Sequence, residues 1–255
     1  MNETISLCYH GVSPSWPDAM AVTQQQLHSQ VAWFMRRGYR PVTVREAARP
    51  GGGKRLAITF DDALLSVHEL ALPVLERLGA IATVYAPSVP IAEQTPMAWP
   101  EVARHLQTEH ARELEPMTAG QLRAVAAQGW EVGSHTRTHP WLPRVADDGE
   151  LRHELEGSKR ELEALLELEL ATLAYPFGAH DERVAAATAA AGYEAAVTLP
   201  VRVPAWPAQP SAHELMRLPR IGVYRVDEWR RFRVKVARPV RLLRASSLWD
   251  LVRRG

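Results

Sequence analysis

Residues 55–62, Arg55-Leu56-Ala57-Ile58-Thr59-Phe60-Asp61-Asp62, decide the fold. Leu56 to Phe60 run apolar or β-branched without alternation, as in a strand covered on both faces, and two carboxylates follow where the strand stops. Strands of that kind belong to parallel sheets with helices packed on both sides. Such folds place their functional residues at the C-terminal ends of the strands.

The flanking sequence has the matching pattern. Residues 4–9 read as a strand, and Thr23-x-x-Gln26 is a capping box that opens a helix with Leu27, Val31, Phe34 and Met35 at helical spacing, stopped by Gly38. After a Pro50-Gly51-Gly52-Gly53 link and the strand that ends at Asp61-Asp62, a helix runs to about Gly79 and a strand covers 82–86. Residues 87–117, rich in proline and polar side chains, read as an insertion at the sheet's rim with a short helix near 99–106. Thr118-x-x-Gln121 opens the next helix, Gly129 stops it, and the strand 130–134 ends directly at His135. Leu151, Leu155, Leu162 and Leu166 share one stripe of a covering helix over 147–170. A strand at 172–175, a helix at 183–191 stopped by Gly192, a strand at 194–198 and a last strand at 215–221 complete the alternation. The chain is therefore of the α/β class.

The 255 residues, 46% of them hydrophobic, suffice for one large domain. Lys plus Arg (30) balances Asp plus Glu (29), so no overall field draws the chain to nucleic acid. One cysteine, Cys8, excludes an intrachain disulfide framework and a multi-cysteine metal site, which leaves histidine and carboxylate as metal ligands; Cys8 itself reads as a buried strand thiol. The N-terminus lacks a secretory pattern and no stretch reaches the length of a membrane span, so a cytoplasmic location, with room for a peripheral membrane contact, is expected.

Two clusters carry chemistry. Asp61-Asp62 alone fits a turn or helix cap as well as a site. His135-Thr136-Arg137-Thr138-His139 sets two histidines four apart; if the residues between them coil into a helical turn, both rings face one side and can share a cation. Two histidines and one aspartate make a three-ligand site with positions open for water, as hydrolytic Zn²⁺ sites require, and leave Asp61 beside the metal to take a proton from water. The remaining histidines have no partners at ligand spacing. Trp99, Trp141 and Trp206 fall in expected rim loops, where an indole face can stack on a sugar ring or pack in the loop.

These motifs resemble those of the metal-dependent polysaccharide deacetylases of carbohydrate esterase family 4. Thr59-Phe60-Asp61-Asp62 is similar to the family's first motif, which implies Asp61 as base and Asp62 as metal ligand; His135 and His139 match its paired metal-binding histidines. Tyr175-Pro176-Phe177-Gly178 is similar to the third motif, so Pro176 and Phe177 form a wall of the groove and the Phe177 N–H meets the oxyanion. The sequence departs from the common pattern in three places. Ala63 follows the Asp pair where glycine is usual, Ala174 stands where many members carry an Arg that tethers the base, and no Leu-x-His motif follows. The permuted subgroup that includes poly-N-acetylglucosamine deacetylases has an N-terminal Tyr-His motif, which Tyr9-His10 resembles; there His10 is the general acid, and Arg220 takes the tether's place.

The resemblance implies a distorted (β/α) barrel of about seven parallel strands over residues 1–237, one divalent metal (Zn²⁺, with Co²⁺ or Ni²⁺ as substitutes), and removal of N-acetyl groups from an amino sugar or exopolysaccharide. Deformylation of a lipid-linked sugar and hydrolysis of a small linear amide remain alternatives. The intact Asp61, Asp62, His135 and His139 argue against an inactive carbohydrate-binding module, and a metallo-phosphoesterase would need a second ligand set. Residues 225–255 carry ten Arg and Lys against three acids. Within them, 238–255 interleaves leucine and tryptophan with arginine, either a terminal helix packed on the barrel or an amphipathic contact with anionic lipid or a polysaccharide-assembly partner.

Overall fold

Glu3–Tyr9 and Lys54–Phe60 lie side by side as parallel strands, every residue after the first of each buried. Two-sided burial is what an unbroken apolar run specifies, and each Leu, Ile or Phe so enclosed contributes about 1.5–3 kcal/mol. The computed structural model describes residues 2–200 and 203–245. In chain order the elements are β1 (Glu3–Tyr9), β2 (Gly11–Val12), β3 (Ala21–Val22), α1 (Gln24–Met35), β4 (Tyr39–Val42), α2 (Val44–Ala48), β5 (Lys54–Phe60), α3 (Leu72–Leu78), β6 (Thr83–Ala86), α4 (Ser88–Glu93) and α5 (Ala119–Ala127). Then follow β7 (Glu131–Ser134), α6 (Asp148–Arg152), α7 (Ser158–Leu166), β8 (Thr172–Ala174), α8 (Glu182–Ala190), β9 (Ala195–Thr198), α9 (Ala212–Leu215), β10 (Leu218–Pro219), β11 (Ile221–Gly222), α10 (Trp229–Val236) and α11 (Arg238–Ala245).

All ladders of the main sheet are parallel, in the order β10-β9-β8-β7-β6-β5-β1-β11. The last strand closes the ring in two halves: β10 pairs with β9 (Leu218↔Val197), and after a break at Arg220, β11 pairs with β1 (Leu7↔Ile221). With that strand counted once, seven strands circle the barrel, and β4 adds an eighth against the first half of β5. The distorted (β/α) barrel expected from the sequence is the fold observed.

Helix boundaries follow local signals where these exist. Thr23 and Thr118 cap α1 and α5 with reciprocal Gln26 and Gln121 bonds, each cap worth about 1 kcal/mol. Three elements differ from the sequence reading: the short helix near 99–106 is a single turn at Ala103–His105, and two boundaries move. Leu215 ends a short helix capped by Ser211, so the closing strand begins at Leu218 and extends to Gly222. The covering helix runs from α6 through a wide turn at His153–Gly157 into α7 and ends at Leu166, where Glu167 turns left-handed (φ 57°); Leu170, buried, lies past it. At the C-terminus, α10 buries Phe232 against Phe34 of α1 (ring centroids 6.1 Å apart), and Arg241 of α11 pairs with Glu3. The second half of the basic segment, 246–255, lies outside the described residues.

Candidate metal centre and catalytic groove

The chemical side chains sit where strands end. His10 follows β1, Asp61 and Asp62 follow β5, His135 follows β7, the Pro176-Phe177 turn follows β8, and Arg220 occupies the break between β10 and β11. The backbone carries the ladder one step further, Asp61 N–H to Tyr9 O (2.9 Å) and His135 N–H to Ala86 O (2.8 Å), which fixes both stems. Beyond them the chain turns sharply. Asp62 (φ 69°) and Ala63 (φ 47°) are both left-handed, a conformation that costs a side-chain-bearing residue on the order of 1 kcal/mol. Asp62 is thereby aimed across the mouth while Asp61 points inward.

Asp61 meets Arg220 in a two-pronged ion pair, Nη1 to Oδ1 at 2.5 Å and Nη2 to Oδ2 at 2.8 Å. Arg220 is 0% and Asp61 4% exposed. The guanidinium is held in turn by Thr59 Oγ1 (2.9 Å) and the Thr198 carbonyl (3.3 Å). Burial by itself would push the Asp61 carboxyl up, but the Arg220 charge and hydrogen bonds outweigh it and hold the group well below the usual carboxylate range. The Cys8 thiol, buried and pushed well up by that burial, points at Asp61 Oδ2 from 3.4 Å.

Asp62, His135 and His139 form a second group whose ligand atoms all lie within 4.8 Å of one another. The Nδ1–H of His135 donates to the Ala174 carbonyl (2.8 Å), which leaves the lone pair on Nε2, 3.5 Å from Asp62 Oδ1. His139 Nε2 lies 3.7 Å from that same oxygen. Asp62 Oδ1 is buried and receives no hydrogen bond. Ligands about 2.1 Å from a shared tetrahedral ion stand about 3.4 Å apart, so this spacing fits one small divalent cation. Burial and then the Asp61 charge push the Asp62 carboxyl up, and burial and then His135 push His139 down, both penalties that a cation would relieve.

The residues between the histidines do not form the helical turn that their spacing would allow. Thr136 (φ 64°) and His139 (φ 61°) are left-handed, and a loop brings the rings to 4.8 Å between centroids. His10 lies with Cys8 and Asp61 in a group whose polar atoms are within 4.8 Å of one another, and its buried Nδ1 has no hydrogen-bond partner. Burial pushes His10 down to about 4, with Asp61 pulling the other way. At the third motif, Phe177 is left-handed (φ 59°), and the turn's bonds run from Gly178 N–H to Tyr175 O and from Ala179 N–H to Pro176 O, neither using the Phe177 N–H. Gly178 (φ 68°) is required here, because a Cβ would stand 2.3 Å from the Leu199 nitrogen.

A cavity of about 80 Å³ joins these groups, lined also by Met20, Trp99, Glu101 and Leu199. The rim insertion supplies its roof. Trp99 stacks on His139 at 4.0 Å, and the insertion is tied down by Asp18 to Arg104 and His105 and by Ser13 to Glu113. Trp141, 43% exposed, stacks on Phe177 at the mouth. Trp206 does not belong here: it lines a separate cavity with Asn2, Thr4 and Arg238 at the start of β1, because the loop before α9 crosses the opposite end of the barrel. Met20, Glu101 and Leu199 are lining residues with no sequence signal beyond their place in loops.

A closed ring of parallel strands with three lone-pair donors around one point, and an ionised carboxylate beside them, defines a (β/α)-barrel protein with a candidate mononuclear metal centre. The polysaccharide deacetylase family model matches residues 48–196, and the chain belongs to that family. YxkH from Bacillus subtilis (strain 168), named for the same family, is 24% identical over 198 residues, which cover 75% of this chain and 63% of YxkH, less than two thirds of that relative. Among solved structures, the deacetylase PplD from Streptococcus pyogenes aligns with a TM-score of 0.74 at 20% identity over 90% of this chain and 96% of that one. IcaB from Ammonifex degensii aligns with a TM-score of 0.71 at 22% identity over 96% and 98% of the two chains. Both share the fold.

Proposed function

We propose that the protein removes the N-acetyl group from an amino sugar or its polymer, releasing acetate and a free amine. The observation that carries this reading is the pairing, at one barrel mouth, of the clustered Asp62-His135-His139 group with the Arg220-held carboxylate of Asp61. Asp62, His135 and His139 would hold one divalent ion, with Zn²⁺ best matched to the nitrogen-rich donor set, and such an ion polarises an amide carbonyl and acidifies water. Asp61 accepts the water's proton. Arg220 keeps it ionised and fixed at the cost of basicity, so it serves only where the water is already acidified.

The Phe177 N–H, not used by its own turn, can donate to the oxygen that gains charge, a contact worth roughly 3 kcal/mol. His10 is neutral in the resting site; negative charge developing on the reacting oxygen raises its affinity for a proton, which it takes from solvent and passes to the departing nitrogen, while the proton held by Asp61 returns to solvent. The apolar faces of Met20, Trp99, Phe177 and Leu199 suit an acetyl methyl better than a formyl hydrogen. PplD was solved with acetate, the product expected here. Incubating Zn²⁺-loaded protein with N-acetylglucosamine oligomers and with N-formyl sugars tests the reading. Acetate and free amine from the first support it, formate from the second alone replaces it, and no amine from either ends it.

A peripheral contact with anionic lipid belongs to the same proposal. Residues 229–245 hold seven Arg and Lys and no acid. Four of the five large exposed hydrophobics among the described residues, Val226, Trp229, Val234 and Leu242, lie in or beside this stretch. Flotation with anionic vesicles at low salt should carry the full chain upward and leave behind a variant with Arg230, Arg233 and Arg238 changed to Glu. If both stay in solution, the contact is dropped.

A further inference from the structure

The loop between the two histidines has no regular structure of its own, yet all four of its peptide N–H groups are used. That of Thr136 goes to Ser134 Oγ (3.2 Å), those of Arg137 and Thr138 both go to Oε2 of Glu154 (2.9 Å each), and that of His139 goes to Thr136 Oγ1 (3.2 Å). The Thr138 hydroxyl donates to the other oxygen of Glu154 at 2.6 Å. Glu154 is 7% exposed on the wide helical turn before α7, with Leu151 and Leu155 packed into the core on either side of it in sequence. One turn further, Ser158 donates to the Thr136 carbonyl (2.8 Å) and shares a hydrogen bond with Ser134 Oγ (2.7 Å).

We propose that Glu154, assisted by Ser158, is the positioning residue of the metal centre. The inference rests on reading Asp62, His135 and His139 as the metal ligands. A spacing of four would bring two histidines together on a helix without outside help, but this loop holds Thr136 and His139 left-handed, which local propensity opposes. The conformation needs anchors. Glu154 takes two consecutive amides and a hydroxyl from the loop while its own backbone is fixed by leucine packing, so it acts as a strut between the core and His139. Without it two amides lose their partner, and the loop can relax away from the geometry that sets His139 Nε2 3.7 Å from Asp62 Oδ1.

The test is Zn²⁺ affinity of the full chain by competition with a chromophoric chelator, with thermal unfolding as the check on folding. Glu154→Ala should weaken Zn²⁺ binding about 10- to 100-fold in a folded protein. Glu154→Gln should stay within about tenfold of wild type, because its carbonyl accepts both amides and the Thr138 hydroxyl can accept from its NH₂. Ser158→Ala, a smaller change at the same loop, should also weaken binding and stands in if Glu154→Ala does not fold. Wild-type affinity in folded Glu154→Ala, or in Ser158→Ala when the first variant fails to fold, overturns the proposal. So does a loss in Glu154→Gln equal to that in Glu154→Ala, which would assign the effect to charge. Affinity unchanged by His139→Ala would instead overturn the reading of the metal ligands, and the Glu154 variants cannot imitate that result.

Discussion

The Asp61–Arg220 pair can be measured against its parts. Both groups are almost fully enclosed, and their contact uses both carboxylate oxygens and both terminal nitrogens of the guanidinium. With charge centres about 4 Å apart and an effective dielectric of about 20, the attraction is about 4 kcal/mol, of the same order as the cost of enclosing the two charges. Removing one partner strands the other. Arg220→Met leaves a buried carboxylate, and Asp61→Asn leaves a buried guanidinium with no counter-charge and one acceptor fewer, so each should cost about 3–5 kcal/mol. The double variant strands neither charge and should cost no more than either single change, a coupling of about 3 kcal/mol. The assay is equilibrium urea unfolding of the four proteins with metal removed. Costs that add to within about 0.5 kcal/mol would refute the claim that each group is tolerated only because of the other.

His10→Ala should lower turnover of N-acetylglucosamine oligomers by about 10²-fold or more while sparing substrates with activated leaving groups; an equal loss on both marks a structural role. Gly178→Ala should destabilise by about 2 kcal/mol or more in thermal unfolding, because the added Cβ meets the Leu199 backbone; an unchanged melting temperature contradicts the close approach seen here. For Asp18, burial pushes the carboxyl up, but the Met20 N–H, His105 and Arg104 outweigh it and hold it below the usual range. A lowered folded-state value gives stability that is present above the unfolded-state value of about 3.9 and is lost as pH falls through the folded one. The gap in melting temperature between wild type and Asp18→Asn should therefore be constant above about pH 5 and close as pH falls below about 4, and a gap that stays constant on acidification would contradict the ion pair's role in holding the roof.

Much of this was legible in the sequence because its causes are local. The apolar run before Asp61 reads as a two-sided strand, and the capping boxes at Thr23 and Thr118 marked helix starts to the residue. The resemblance to the permuted subgroup offered Arg220, at the end of the last strand, in place of the Arg missing at position 174, and the structure brings it to Asp61. What could not be read has long-range causes. The histidine loop has helical spacing but takes its shape from Glu154 and Ser158, 15 and 19 residues beyond His139. The roof over the site depends on Asp18 and Ser13 meeting a segment some 90 residues away. Trp206 had the same signal as Trp99, an indole in a proline-rich loop, and only the path of the chain sends the two to opposite ends of the barrel.

The division of labour between the adjacent aspartates is the centre of the account, and Asp61→Asn measures it most directly. In protein assayed where it is folded, this variant should bind one Zn²⁺ with affinity near that of wild type and release acetate from N-acetylglucosamine oligomers at least about 10²-fold more slowly, since the amide keeps the shape of the carboxylate but cannot accept the water's proton. Loss of the metal together with activity would make Asp61 a ligand, and retained turnover with the metal bound would remove it as the base.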